Sequence, residues 1–207
     1  MRSIFFDVDG VLIHGYYSRP ERRQRWDANL LEDLGVDPAH LSAHFFPGPF
    51  VQHVLTGKRS LMEALDGWLR EHGYAVSPMR FVEYWLSKDS RLNHELIERV
   101  ARLRDAGNCR LYVATNQEHL RAMDLWLRQG FSALFDDMFY AARLGALKPQ
   151  AGFFAAIEDQ IGPQEEPPLL FDDSEAVIDG ARAYGWDAVL YDELSDCANH
   201  PAITALL

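Results

Sequence analysis

A short apolar run near the start of the chain ends in two aspartates. Ile4–Phe6 contains no polar residue, and Asp7 and Asp9 follow it almost at once. Such a run is typical of a buried parallel strand, and charge at its end is costly to bury unless it is paired or bound to a cation. Two ionised carboxylates this close also repel each other unless positive charge lies between them. The sequence therefore predicts a functional site at the end of the first strand.

Apolar runs and helical patterns alternate along most of the chain. Four further strands are predicted, at Leu111–Ala114, Met138–Tyr140, Leu169–Phe171 and Ala188–Tyr191. Helices between them are predicted from apolar residues at helical spacing, namely Leu92 to Leu103, then Leu120, Met123 and Leu127, then Val177 to Tyr184. Regular alternation of strand and helix implies a parallel sheet covered on both faces. We therefore predict an α/β fold with a three-layer, Rossmann-like parallel sheet core.

Residues 15–89 interrupt this alternation, because they show helical patterns and no convincing strand. Three helices are predicted here, at Trp26–Leu34, Leu61–Leu69 and Pro78–Leu86. Phe45–Phe50 is predicted to be an aromatic-rich loop that either lines a substrate entrance or packs inside the helical region. We predict an inserted α-helical subdomain over residues 15–89, carried by a core domain formed from residues 1–14 and 90–207.

Charge and cysteine content limit the possible partners and location. The chain has 31 acidic and 20 basic residues, a formal net charge of −11. Nucleic acids and anionic membranes require clustered Lys and Arg, so we expect neither as a partner. Cys109 and Cys197 are too few for a disulfide framework. No run approaches the roughly 20 apolar residues of a membrane span, and Asp7 and Asp9 interrupt the N-terminal apolar run. We expect a cytoplasmic monomer or homodimer.

Polar groups follow several of the predicted strands at the point where each strand ends. Asp7 and Asp9 follow the first strand, and Lys148 precedes a further helix. The remaining groups after strands are Thr115, Asn116, Asp172 and Asp173. Ligands of open parallel sheets bind at the carboxyl ends of the strands, where the strand order reverses. These separate segments are therefore expected to converge on one place.

The expected set of groups suits phosphoryl transfer. Mg²⁺ prefers oxygen ligands such as carboxylates, and a transferring phosphoryl group needs a metal, a lysine and aligned donors. One carboxylate can attack phosphorus to form an acyl phosphate. A second can protonate the leaving oxygen and then take a proton from water. We therefore predict a magnesium-dependent enzyme with a small phosphorylated substrate.

Four segments together resemble the four motifs of the haloacid dehalogenase-like superfamily. They are, in chain order, Asp7–Leu12, Ala114–Asn116, Lys148–Pro149 and Phe171–Ser174. The resemblance covers residues 1–14 and 90–207, and the helical insertion after the first strand resembles the family's helical cap. It implies an α/β core in which the cap closes over the site.

The resemblance implies a role for each residue that matches a motif. Asp7 would be the nucleophile, and Asp9 would be the general acid and base. Thr115, together with the backbone of Asn116, would bind the transferring phosphoryl group. Lys148 would offset the charge on the nucleophile and on the phosphate. Magnesium would be held by Asp7, by the backbone carbonyl of Asp9, and by the acidic pair Asp172 and Asp173, with Asp173 the favoured ligand of the pair.

The carboxyl group at Asp9 favours a phosphatase among the reactions of this family. A departing alkoxide needs a proton, whereas a departing halide does not, and family dehalogenases replace this aspartate. The substrate is predicted to be a sugar phosphate or a nucleotide monophosphate. Alternatives are a phosphomutase of the same fold, a haloacid dehalogenase or a non-catalytic binding protein.

The chain departs from the family pattern at Val177, where many relatives carry Asn, a change that bears on the surroundings of the metal.

Overall fold

Seven strands form in the chain, which a computed structural model describes over residues 1–207. They are β1 (Arg2–Phe6), β2 (Ile13–His14), β3 (Arg91–Leu92), β4 (Cys109–Thr115), β5 (Asp137–Tyr140), β6 (Leu169–Asp172) and β7 (Asp187–Leu190). Five of them make one sheet in the order β5-β4-β1-β6-β7, and every pairing in it is parallel. All five predicted core strands are present within two residues of their predicted ends.

Helices flank the sheet and fill the insertion. They are α1 (Leu30–Leu34), α2 (Pro38–His40), α3 (Leu61–Glu71), α4 (Pro78–Lys88), α5 (His94–Ala106), α6 (His119–Leu127), α7 (Phe131–Leu134), α8 (Ala141–Leu144), α9 (Ala151–Ile161), α10 (Glu175–Tyr184), α11 (Leu194–Ala198) and α12 (Pro201–Thr204). A π-type helical segment, Leu41–Val54, continues from α2. None of these helices is long and apolar enough to cross a membrane.

The sheet has a separate hydrophobic cluster on each face. Side chains alternate between the two faces of a strand. Ile4 and Phe6 of β1 therefore join one cluster, with Val100 of α5, whereas Phe5 joins the other, with Phe153 of α9. Ile4, Phe5 and Phe6 are fully buried. The predicted three-layer α/β fold is confirmed.

Strand order places the ends of β1, β4 and β6 side by side. β1 is the central strand, and the chain first adds β4 and β5 on one side before it crosses to β6 and β7 on the other. The backbone N–H of Asp7, just past β1, donates to the carbonyl of Phe171 in β6 at 2.9 Å. This reversal of strand order beside β1 creates a crevice at the carboxyl ends of the strands.

The helical insertion has its own hydrophobic cluster. Its 15 buried members all lie between Leu30 and Trp85, and Leu120 and Leu147 of the core pack against them. The antiparallel pair β2–β3 joins the two ends of the insertion, with Ile13 opposite Leu92. The sequence showed no pattern for a strand pair of only two residues each. The division at residues 15–89 stays a prediction.

The prediction of a loop at Phe45–Phe50 was wrong. These residues lie inside the wide helical segment Leu41–Val54, which is kinked at Gly48 between two prolines. Phe45 and Phe50, five residues apart, are both buried, and Phe45 packs 5.5 Å from Trp68, measured between ring centroids. Gly48, with φ −96° and ψ −107°, is not helical, so the Pro-Gly-Pro sequence does interrupt the segment locally. Burial of aromatic rings on both sides of this interruption stabilises the helical path before and after it.

Two of the predicted helices differ in detail from those observed. The first begins at Leu30 and not at Trp26, which lies in a turn and packs edge-on against Phe81. In α6 the predicted apolar face was wrong, because Met123 is 57% exposed and Leu127 is 66% exposed. The helix instead buries Arg121, which makes ion pairs below the insertion.

Close packing of α10 against the chain beside Lys148 gives a test of the fold. A Cβ atom at Gly180 would lie 2.6 Å from Pro149 Cβ and 2.7 Å from Pro149 O. We predict that Gly180→Ala lowers the free energy of unfolding by about 1–3 kcal/mol, because this backbone cannot yield without strain. Urea unfolding measures the change.

Gly152→Ala is the matched control. This glycine also lies in a helix, α9, but has open space around the position of its missing Cβ. Since alanine is the better helix former, the free energy of unfolding should stay the same or rise by up to about 1 kcal/mol. Equal effects of the two substitutions would contradict the close packing of α10 on Pro149.

Candidate active site

Asp7 and Lys148 form a buried ion pair at the end of the central strand. Lys148 Nζ lies 2.8 Å from Asp7 Oδ1, although the pair lacks hydrogen-bond geometry, and 2.6 Å from Asp172 Oδ2, to which it donates. It also donates to the carbonyl of Ala114 at 2.8 Å. Burial lowers the pKa of Lys148, but the carboxylates of Asp172 and Asp7 outweigh that effect and raise it overall. The ammonium is therefore charged and fixed beside both carboxylates.

Three carboxylates converge here, and one lysine does not neutralise them. Asp7, Asp172 and Asp173 each offer an oxygen, and these oxygens lie within 4.8 Å of one another. Burial raises the pKa of Asp172 to about 7, against the opposing effect of the Lys148 ammonium. Repulsion among such carboxylates is relieved by a cation. This set of oxygen donors fits a hard divalent ion such as Mg²⁺.

The loop after β1 is shaped around Asp173. Gly10 has a φ of +83°, in the left-handed region, and a Cβ atom there would collide with the Asp173 carboxylate. Only glycine meets both demands at low cost. Ser18 donates to the same carboxylate twice, from its backbone N–H at 2.6 Å and from its hydroxyl at 3.0 Å. The start of the helical insertion is thus tied directly to a candidate metal ligand.

The predicted phosphate-binding residues lie beside the ion pair. Thr115 is the last residue of β4 and is almost completely buried. Asn116 donates from its side-chain amide to the carbonyl of Lys148 at 3.1 Å, and its Oδ1 accepts from the Lys148 N–H at 2.9 Å. These two reciprocal hydrogen bonds fix the backbone of Lys148. Asn116 therefore acts here through its side chain, by positioning Lys148.

Asp9 lies in the same cavity but has different partners. Arg121 donates to its Oδ1 at 2.7 Å, and the Gln117 amide donates to its Oδ2 at 2.5 Å. Burial raises the pKa of Asp9 to about 6; Arg121 opposes this shift, and the carboxylates of Asp89 and Asp7 add to it. A carboxyl group with a pKa near neutrality can both give and accept a proton.

Arg121 joins the core to the insertion through buried ion pairs. Its side chain is 3% exposed and pairs with Asp9 and with Asp89, which follows the last helix of the insertion. Trp85 donates its indole N–H to Asp89 at 3.0 Å, and Arg121 lies over the Trp85 ring at 5.6 Å. Arg121 Nε and Asp89 Oδ1 are buried without hydrogen-bond partners.

Sequence reasoning missed several members of this site, namely Ser18, Asp89, Gln117 and Arg121. Asp89 lies where the chain returns from the insertion to the core, and Arg121 lies next to Leu120 in a segment whose apolar spacing gives no reason to bury an arginine. No local pattern distinguishes them, because their partners are distant in sequence. Ser18 lies within the first crossing, and its contact with Asp173 spans 155 positions.

A cavity of about 450 Å³ contains all the predicted site residues. Its core side carries Asp7, Asp9, Thr115, Asn116, Lys148, Asp172 and Asp173, and its other side is formed by residues of the insertion. Phe46 and Phe50 line it, and Phe45 does not; Phe45 and Phe50 both belong to the hydrophobic cluster of the insertion. Val177 also lines the cavity. A larger surface depression of about 690 Å³, near Met1 and Arg110, holds none of the predicted site residues.

The structure thus brings the sequence-predicted residues together, in two groups. Asp7, Lys148, Asp172 and Asp173 are joined by ion pairs or close carboxylates, whereas Asp9 is directed to Arg121 and Gln117. Two carboxylates in different surroundings and a buried ammonium therefore share one cavity. The catalytic and metal-binding roles of these residues stay predictions.

Comparison with known proteins supports the resemblance seen in the sequence. The model of a family described as haloacid dehalogenase-like hydrolase matches residues 1–185. No curated protein matches the chain. A predicted HAD-like family hydrolase from Porphyromonas gingivalis has a similar structure, with a TM-score of 0.76 and 24% identity, over 100% of this chain and 97% of that one.

Two further solved structures share the fold. One is a HAD family enzyme from Bacteroides thetaiotaomicron in complex with magnesium and inorganic phosphate, with a TM-score of 0.74, 19% identity and coverage of 91% of this chain and 92% of that one. The other is an L-2-haloacid dehalogenase, with a TM-score of 0.61, 19% identity and coverage of 91% and 83%. At these identities the likeness is one of fold.

The buried ion pairs of Arg121 can be tested by removing the cation. Arg121→Met would leave the carboxylates of Asp9 and Asp89 close together and without a counter-charge. We predict that the free energy of unfolding falls by about 3–5 kcal/mol, because a lone buried partner of a broken ion pair is strongly destabilising. Urea unfolding at neutral pH measures the loss.

Arg80→Met is the control. Arg80 of α4 pairs with Glu83 at 3.2 Å, and the two side chains are 66% and 71% exposed. Exposed pairs of this kind contribute little, so the expected change is within about 0.5 kcal/mol. A loss for Arg121→Met no larger than that of the control would show that the buried pairs do not hold the insertion on the core.

Proposed function

Because the chain belongs to the haloacid dehalogenase-like hydrolases, we propose that it is a magnesium-dependent phosphatase for a small phosphorylated metabolite. The observation that carries the proposal is that one cavity contains two carboxyl groups with different surroundings. Asp7 lies against an ammonium and two further carboxylates, whereas Asp9 lies against Arg121 and Gln117. Carboxyl groups in different environments can take different roles.

Asp7 is the proposed nucleophile. An oxygen of its carboxylate attacks phosphorus, the bond from phosphorus to the ester oxygen breaks, and an aspartyl phosphate forms. Lys148, at 2.8 Å, stabilises the negative charge that spreads over the phosphoryl oxygens. Thr115 and the backbone N–H of Asn116 are the proposed donors to the same oxygens. The side chain of Asn116 supports this arrangement through its two bonds to the Lys148 backbone.

Asp9 is the proposed proton carrier. Its protonated form gives a proton to the departing alkoxide, and its ionised form then takes one from the water that attacks the aspartyl phosphate. A pKa of about 6 suits both steps near neutral pH. Arg121 and Gln117 position the carboxyl group, and removal of Arg121 would disturb its orientation. A halide leaving group would need no such proton, which favours phosphate esters over haloacids.

Asp7, Asp172 and Asp173, with the Asp9 carbonyl, would hold the magnesium ion. The bound ion supplies positive charge at the phosphoryl group. Asp173 is the proposed principal ligand of the acidic pair, because the charge of Asp172 is already offset by Lys148 at 2.6 Å. Asp173 has no cationic partner and receives only the two donors of Ser18.

The free, buried thiols of Cys109 and Cys197 favour a reducing compartment, and we propose a cytoplasmic location.

Substitution of the nucleophile tests this proposal. Asp7→Asn removes the attacking oxygen anion while it keeps the size of the side chain. We predict that phosphate release from 4-nitrophenyl phosphate with Mg²⁺ falls by more than about a thousand-fold, because no aspartyl phosphate can form. A colorimetric assay of released phosphate measures the rate.

Asp105→Asn is the matched control, since Asp105 is an exposed aspartate at the end of α5, away from the cavity. It should keep the rate of the unmodified protein. Turnover by Asp7→Asn comparable with that of Asp105→Asn would contradict a nucleophilic Asp7. Chloride release from a 2-haloacid, with no phosphate release from any ester, would contradict the phosphatase.

A further inference from the structure

We infer that the substrate is a phosphate monoester whose leaving group has no negative charge and carries a flat aromatic or heteroaromatic ring. The inference rests on the proposed phosphatase function and adds the class of leaving group to it. It follows from three features of the 450 Å³ cavity: its charged groups, the aromatic side chains that line it, and the hydrogen bonds that its polar groups already make.

The cavity has no free cation for a second anionic group on the substrate. Lys148 and Arg121 are its only cationic side chains. Each is engaged by two carboxylates, Lys148 by Asp7 and Asp172, and Arg121 by Asp9 and Asp89. Recognition of a second phosphate or a carboxylate requires charge-assisted donors. A bisphosphate, a sugar acid phosphate or the bisphosphate intermediate of a phosphomutase would have none.

The carboxylates of the cavity also oppose a second negative charge. Asp89 adds to those around the phosphoryl site and lies toward the insertion. Like charges brought together in a partly desolvated site are unfavourable and select against the wrong ligand. The leaving group that fits this side of the cavity therefore carries no negative charge.

The insertion offers an aromatic surface where the leaving group would lie. Trp26, Phe46, Phe50 and Trp85 line the cavity, and Trp26 and Phe46 are only partly buried. Their ring centroids form a connected set, with 6.0 Å between Trp26 and Trp85, 6.5 Å between Phe46 and Trp85 and 5.3 Å between Phe46 and Phe50. Aromatic rings favour stacked or edge-on contact with a further aromatic ring.

Most of the polar groups next to this wall are already paired with one another. Asp89 accepts from Trp85 and Arg121, Gln117 donates to Asp9, and Ser18 donates to Asp173. Asp89 Oδ1 and Arg121 Nε have no partner, but both atoms are buried. Hydroxyl groups of a sugar held here would lose water and gain few partners, which is unfavourable. A flat ring with few hydroxyls has no such cost. The size of the cavity lies in the range of sites for small molecules of one or two rings.

Phosphate esters of primary alcohols provide a direct test, because their leaving groups have similar intrinsic reactivity. Benzyl phosphate, adenosine 5′-monophosphate, glucose 6-phosphate and fructose 1,6-bisphosphate are compared through kcat/KM with Mg²⁺. We predict that the first two exceed the last two by roughly ten-fold or more, a ratio typical of apolar contacts. A higher value for the nucleotide would identify a nucleoside monophosphate, and a higher value for the benzyl ester a simple arylalkyl phosphate; both support the inference.

Substitution in the aromatic wall gives a second test. Phe46→Leu keeps an apolar side chain and removes the ring, so the preference for benzyl phosphate over ethyl phosphate should fall by about five-fold or more. Met79→Leu changes a 70% exposed residue of α4, outside the cavity, and should keep that preference.

A binding measurement gives a third test. The Asp7→Asn variant should bind esters without turnover, and its tryptophan fluorescence should be quenched by benzyl phosphate and not by ethyl phosphate.

The two hypotheses fail in different ways. Equal or better turnover of glucose 6-phosphate or the bisphosphate would overturn the inference and leave the phosphatase standing. So would an unchanged preference in Phe46→Leu together with the absence of selective quenching. Failure to release phosphate from every ester, 4-nitrophenyl phosphate included, would overturn the proposed function itself.

Discussion

The gathering of carboxylates at the ends of β1 and β6 is the constraint on which the site depends. Asp7, Asp172 and Asp173 lie together at the reversal of strand order, and Lys148 offsets only part of their charge. Such an arrangement is unfavourable without further positive charge. The fold therefore favours binding of a cation where the strand ends meet. The backbone beside the carboxylates is fixed at Gly10 and by the hydrogen bonds between Asn116 and Lys148.

A second buried charge network connects this centre to the helical insertion. Arg121 bridges Asp9 of the first loop and Asp89 of the last crossing, and Ser18 of the first crossing donates to Asp173. Both connections between insertion and core therefore touch residues of the candidate site. Movement of the insertion would therefore change the surroundings of the proposed proton carrier and of a proposed metal ligand.

Much of the fold and the candidate site could be predicted from short local patterns. The strand at Ile4–Phe6 and the acidic pair at Asp172 and Asp173 can be recognised because an apolar run is followed directly by carboxylates in both places. Arg121 could not be predicted, since its burial depends on Asp9 and Asp89, which lie 112 and 32 positions away. The helical path on either side of Gly48 was hidden for the same reason: it depends on aromatic partners distant in sequence, such as Trp68 against Phe45.

Calorimetric titration of the protein with Mg²⁺ tests the central claim most directly, because it detects the cation without any assumption about substrate. The account predicts saturable binding of one ion to the unmodified protein, and binding at least ten-fold weaker in Asp173→Asn, since one of three carboxylate ligands loses its charge. Asp105→Asn should bind like the unmodified protein. Absence of binding at millimolar Mg²⁺, or unchanged affinity in Asp173→Asn, would contradict a metal site built by these carboxylates.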